Sequence, residues 1–132
     1  MFLNRLTPQE KCAYLQIAHH EAHSDAFLSK EEEDVIAKYC MEMQMDDIEY
    51  SEASFDLSRE LSYFSADSHK IIALLEIMAL VFADGVLVKE EERILNEMIA
   101  HFELNPYLAI VYNECSKSIL SLFIQGEALI HI

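Results

Sequence analysis

Helix breakers and basic side chains are scarce in this chain. Its 132 residues include only two glycines and two prolines, which favours long helices over a turn-rich β architecture. Nine Lys and Arg residues stand against 24 Asp and Glu residues, so the formal net charge is −15. Because phosphate groups are bound by dense Lys and Arg, this charge argues against nucleic acids and anionic membranes as partners. It favours cations or basic protein surfaces.

Cysteines and long apolar runs are also few. The three cysteines are widely spaced and form no CxxC pair, so neither a disulfide framework nor a thiolate metal site is indicated, and a reducing cytoplasm fits best. The first residues lack the apolar core of a secretory signal. The longest apolar stretch, residues 71–83, is interrupted by Glu76 and is too short to span a bilayer. We therefore expect a cytoplasmic protein with no membrane insertion.

One motif occurs twice, 59 residues apart. Residues 25–36 (DAFLSKEEEDVI) and 84–95 (DGVLVKEEERIL) share an Asp, a Leu, a Lys and three Glu. Three apolar positions upstream repeat at the same offset: Leu15/Leu74, Ala18/Ile77 and Ala22/Val81. An offset that carries both a charge motif and an apolar stripe indicates two copies of one helix–loop–helix unit.

The sequence predicts an all-α, single-domain helical bundle of about six to seven helices. Two pseudo-two-fold-related helix–loop–helix halves, about 8–45 and 67–104, are followed by a C-terminal helix and tail over 105–132. Capping signals predict where five helices begin: Thr7, Ser29, Asp56, Asp67 and Asn105. The helix after Asp67 is apolar on most sides, which is typical of a central helix. Residues 46–56 are expected to connect the halves.

The tail permits two interpretations. The last helix is expected to end near Ile124, but residues 119–132 also fit a small hairpin that turns at Gln125-Gly126. We expect this apolar tail to pack onto its own domain. The alternative is an exposed partner surface, through which the chain would form a homodimer.

The repeated motif places two carboxylates around each loop. Asp25 and Asp84 lie where a helix ends, and Glu32 and Glu91 follow seven residues later in the first turn of the next helix. Hard divalent cations such as Ca²⁺ or Mg²⁺ prefer several oxygen ligands, so these four residues are candidate metal ligands. Helix capping or a solvated acidic face explains the same residues without a metal. Residues 84–95 do not follow the EF-hand pattern, because apolar residues stand at three of its ligand positions.

The stretch LLEIMALVFADGVLVKEE, residues 74–91, resembles the signature of the TerB-like tellurite-resistance family. That superfamily also includes the N-terminal domain of the DjlA co-chaperones. The resemblance covers roughly residues 12–104, although Ala26 stands where the signature has glycine, and Val88 stands at the cap position. It implies an all-helical cytoplasmic domain of bacteria, associated with metal or chemical stress. It also implies a ligand set of Asp25, Glu32, Asp84 and Glu91.

Three functions remain open. The first is a small cytoplasmic binding module that binds a divalent cation through its loops and acts through protein partners. The second is a protein-interaction domain, similar to a co-chaperone, without a metal. The third, a carboxylate-based metal-dependent hydrolase, ranks last because no nucleophile or phosphate loop is recognisable, so we expect no enzyme. His19 and His23 share a helix face and fit a transition metal with a third ligand, but a hydrated helix flank is the preferred interpretation.

Overall fold

A computed structural model gives the fold, and the structure describes residues 2–24, 29–81 and 89–131. A short 3-10 helix at Leu3–Arg5 precedes six α-helices: α1 Pro8–Ala22, α2 Lys30–Met43, α3 Leu57–Leu61, α4 Asp67–Val81, α5 Lys89–His101 and α6 Pro106–Ile130. Every regular element within these ranges is helical, so the predicted all-α bundle of about six to seven helices is confirmed.

The sequence repeat is also a repeat of helices. The limits of α4 follow those of α1 by 59 residues at both ends, and α5 begins 59 residues after α2. Both hairpins end in the same way, because Gln44 and Glu103 adopt left-handed backbone with φ of 55° and 56°. The amides of Met45 and Leu104 then each donate to a carbonyl five residues back, at 3.1 Å.

The two short helices that precede the long ones make matching contacts. The 3-10 helix contacts α2 and α4, while α3 contacts α5 and α1. Between the long helices, Glu10 Oε1 lies 2.7 Å from His69 Nδ1. These two residues are themselves 59 positions apart, so equivalent positions of α1 and α4 meet each other directly.

The core is built from the facing sides of α1 and α4. Buried positions recur at the repeat offset: Ala13/Ile72, Tyr14/Ala73, Leu15/Leu74, Ile17/Glu76, Ala18/Ile77, Glu21/Leu80 and Ala22/Val81. Burial of a Leu or Ile side chain contributes about 1.5–3 kcal/mol, so this shared stripe is a main source of stability. Because α4 also contacts α5 and α6, it is the central helix that its sequence predicts.

Most of the predicted caps are confirmed. Thr7 and Ser29 each form a reciprocal capping box with the glutamate three residues on, and the side chains of Asp56 and Asn105 accept backbone amides of α3 and α6. At α4 the prediction is wrong by one residue. The amide of Lys70 donates to the Ala66 carbonyl, so Ala66 caps this helix and Asp67 lies in its first turn.

The last helix, α6, continues through Gln125-Gly126 to Ile130, so the hairpin alternative is wrong. A two-stranded hairpin with no sheet beside it is marginal in water, whereas a helix satisfies its own backbone groups. At 25 residues α6 is about 37 Å long, against about 22 Å for α4, and therefore extends beyond it. None of the described helices combines the length and apolar character needed to cross a bilayer.

Candidate functional site

Each half carries a surface groove, and equivalent residues line both. Groove one has a volume of about 450 Å³ and groove two about 670 Å³. Seven lining positions coincide at the repeat offset: His19/Met78, Glu33/Glu92, Ile36/Leu95, Ala37/Asn96, Cys40/Ile99, Met45/Leu104 and Asp47/Pro106. Duplication has therefore produced two copies of one concave surface, and their side chains have diverged.

Groove one contains an internal hydrogen bond between two of its lining residues. His19 Nε2 lies 2.8 Å from both carboxylate oxygens of Asp47. Burial, together with the carboxylate of Asp47, raises the pKa of the Cys40 thiol. Cys40 is therefore kept protonated, which is the opposite of what a nucleophilic cysteine requires.

The connector after α2 folds over the C-terminal end of α1 through aromatic contacts. The His20 ring stacks on Phe55 with 4.0 Å between ring centroids, and its Nδ1 lies 2.8 Å from the Tyr50 hydroxyl. Tyr50 also stacks on His23 at 5.2 Å. The prediction of a hydrated helix flank is correct for His23, which is exposed. It is wrong for His19, which lies with His20 beneath the connector.

Groove two has an apolar floor and an acidic rim. Met78 and Leu95 are buried in the floor, beside the partly buried Ile99 and Leu104. Ile110 of α6 forms a wall and is 63% exposed. The rim carries the exposed carboxylates of Glu92 and Glu103 and the amide of Asn96. Sequence reasoning missed this site, although the repeat offset relates most of its lining to groove one.

The outer surface of α6 carries many exposed apolar side chains. Among the side chains of this helix that the structure describes, seven large apolar ones are 56–81% exposed: Tyr107, Ile110, Val111, Leu122, Ile124, Leu129 and Ile130. The expectation that the tail packs onto its own domain is therefore wrong for Ile124, Leu129 and Ile130, because α6 extends beyond α4. Tyr107 and Val111 adjoin Ile110 and extend the apolar surface of groove two along the helix.

The predicted ligand set is only partly within the described residues. Asp25 and Asp84 lie outside them. Glu32 and Glu91 occupy equivalent first-turn positions in α2 and α5, and each is 3% exposed, so the solvated-face interpretation is wrong for both. The Ser29 hydroxyl accepts from the Glu32 amide at 3.1 Å, and Glu32 Oε1 accepts from the Ser29 amide at 3.4 Å, as the capping interpretation predicts. No group of three His, Cys, Asp or Glu side chains in the described part of the chain is arranged to hold a metal ion.

Glu21 and Glu76 are among the buried glutamates that were not singled out from the sequence. Glu21, in the last turn of α1, is 1% exposed and stands at the position that Leu80 occupies in the second half. Glu76 accepts the amide of Phe2 at 2.9 Å, and its backbone carbonyl accepts the Tyr39 hydroxyl at 2.8 Å. The only available signal was that both glutamates interrupt an apolar stripe.

The chain matches no protein-family model, and no curated protein or solved structure is significantly similar to it. The resemblance to TerB-like proteins therefore stays a prediction from the motif.

Proposed function

We propose that the protein is a binding module that acts through protein partners, with groove two and the adjoining face of α6 as its docking surface. The observation that carries this proposal is the apolar floor of groove two beside the exposed Tyr107, Ile110 and Val111. Contiguous exposed apolar surface with a polar rim is typical of protein interaction sites. The volume of about 670 Å³ also suits a few inserted side chains.

The contrast between the grooves supports the choice of groove two. Where groove one has the paired His19 and Asp47, groove two has Met78 and Pro106. A partner that enters groove one must compete with an existing hydrogen bond, whereas one that enters groove two covers apolar surface. Because the exposed Tyr107, Ile110 and Val111 adjoin groove two, more apolar surface can be buried there than in groove one.

Selection from an unbiased peptide display library tests the proposal. Peptides that enrich on the protein should bind about tenfold or more weakly to the Ile110→Asp variant, because an interface-centre apolar contact is lost. The Leu129→Asp variant is the matched control, since Leu129 is similarly exposed on α6 and is absent from the lining of the groove. Failure to enrich any peptide, or equal loss in both variants, would contradict the docking function.

A divalent cation of the Ca²⁺ or Mg²⁺ class is the second candidate ligand. The observation that favours it is the burial of Glu32 and Glu91 at matched positions beside the loops that carry Asp25 and Asp84. Glutamate is rarely fully buried unless it is paired or coordinates a cation. In this proposal these four carboxylates supply ligands and loop carbonyls supply the remainder.

Calcium titration followed by amide NMR tests the cation site. Residues 84–91 should shift first and saturably, and Glu91→Gln should abolish that shift. Glu32→Gln is the matched variant for the first loop and should leave the shifts of residues 84–91 intact. Shifts spread evenly over the chain at millimolar calcium would exclude a specific site.

In the same proposal the chain is a TerB-like protein that works in the bacterial cytoplasm during metal or chemical stress. The duplicated motif supports this assignment, and the hydrolase alternative stays last. Metal-dependent turnover of a hydrolase substrate that Glu91→Gln abolishes would reverse that order.

A further inference from the structure

We infer that the segment docked in groove two is an amphipathic helix with two basic residues eleven positions apart. The inference rests on the proposed docking function and adds the chemistry of the partner. Its basis is the position and charge of the two rim carboxylates.

Glu92 and Glu103 differ from the neighbouring acids of α5. Glu90 and Glu97 both pair with Arg93, at 3.5 and 3.1 Å. In contrast, Glu92 and Glu103 form no ion pair with another described residue, and both carboxylates are exposed. They are therefore the acids of this rim whose charge is available to a partner.

The spacing of these acids sets the spacing on the partner. Glu92 lies in the first turn of α5 and Glu103 just beyond its end, so they are about 16 Å apart along the axis. On a partner helix laid along α5, positions i, i+4, i+7 and i+11 share one face. Basic side chains at i and i+11 then reach the two carboxylates, while apolar side chains at i+4 and i+7 enter the groove. Two neighbouring helices also offer the ridges and grooves against which a third helix packs.

Groove one provides an internal comparison. Glu33 matches Glu92, but Gln44 occupies the position of Glu103. Groove one therefore has no carboxylate at the position of Glu103. Its other acids, Asp46 and Asp47, stand where the second half has Asn105 and Pro106, and Asp47 is paired with His19. The same helix should not bind there.

Two designed peptides test the inference. Each is a 16-residue helix with leucines at i+4 and i+7; one carries lysine at i and i+11, and the other carries glutamine there. Fluorescence polarisation should show tighter binding of the lysine peptide, weakened by salt. Glu92→Gln and Glu103→Gln should each weaken it about two- to fivefold. Glu33→Gln is the matched control in groove one and should have no effect.

The outcomes separate this inference from the docking function. The inference of a basic helix is wrong if both designed peptides bind equally. It is also wrong if neither designed peptide binds although display-selected peptides do. In both cases the docking function remains supported. If the protein self-associates and Ile110→Asp abolishes this association, the occupant of groove two is a second copy of the chain. That result also contradicts the inference of a basic helix. If no displayed peptide binds at all, the docking function itself is wrong.

Discussion

Glu10 and Glu32 are buried because each lies in a capping box at the start of a helix. Glu10 closes the Thr7 capping box and also contacts His69 of α4, while Glu32 closes the Ser29 box. Both are as buried as the apolar core. Capping boxes are local in sequence and were predicted. The Glu10–His69 contact joins residues 59 positions apart, so only the packing of α1 on α4 creates it.

His20 should make the stability of the protein depend on pH. Burial lowers its pKa from the ordinary 6.5, assisted by Arg93 and His23 and opposed by Glu52 and Glu97. A histidine with a lowered folded-state pKa stabilises the fold fully above about pH 6.5, and this contribution is lost as the pH falls below that value. We therefore expect urea unfolding to show falling stability from pH 7 to pH 5, with a shallower slope in His20→Gln.

The exposed His131, near the end of α6, supplies the control for this measurement. His131→Gln is the surface comparison, because its side chain is 76% exposed, and the change in slope should be specific to His20→Gln. An unchanged slope in His20→Gln would show that burial beneath Phe55 does not govern the pH dependence.

At the scale of elements, local sequence signals predicted most helix starts correctly but did not predict where the last helix ends. The boxes at Thr7 and Ser29 involve residues three positions apart, so their partners are present in the sequence itself. The glycine near the C-terminus was ambiguous, because it is typical of both a turn and a helix end. Continuation of α6 to Ile130 satisfies backbone groups that a hairpin would leave open.

Gly126→Ala should strengthen the end of α6. An added Cβ would meet nothing within 4 Å, and alanine is favoured over glycine in a helix interior by about 0.8–1 kcal/mol. We expect higher helicity by circular dichroism and slower amide exchange over residues 122–130. Ala128→Gly is the reciprocal control and should have the opposite effect. A loss of helicity in Gly126→Ala would instead indicate a glycine-dependent turn.

At the scale of the whole molecule, the two copies of the helical hairpin form grooves with different side chains. Seven lining positions are common to both grooves, yet groove one contains the His19–Asp47 contact where groove two has the apolar Met78 and Pro106. The segment that follows each hairpin explains the difference. A polar connector covers α1, whereas the long apolar α6 covers α4.

The C-terminal half of α6 should mediate self-association. Leu122, Ile124, Leu129 and Ile130 are exposed on a helix that extends beyond α4, and their burial against a second copy would be favourable. Native mass spectrometry should detect a dimer that the double variant Leu129→Ser, Ile130→Ser converts to monomer. Tyr107→Ser, at the other end of the helix, should keep the dimer. A monomeric wild type at every concentration would contradict this prediction.

The sequence by itself determined the helical class, the caps and the repeat, because each depends on residues within a few positions or on a fixed offset. It also identified Glu32 and Glu91 as distinctive. The tertiary structure alone decided that these carboxylates are buried, that α6 is exposed and that groove two is open. Those properties depend on which surfaces neighbouring helices cover, and packing between distant segments fixes that coverage.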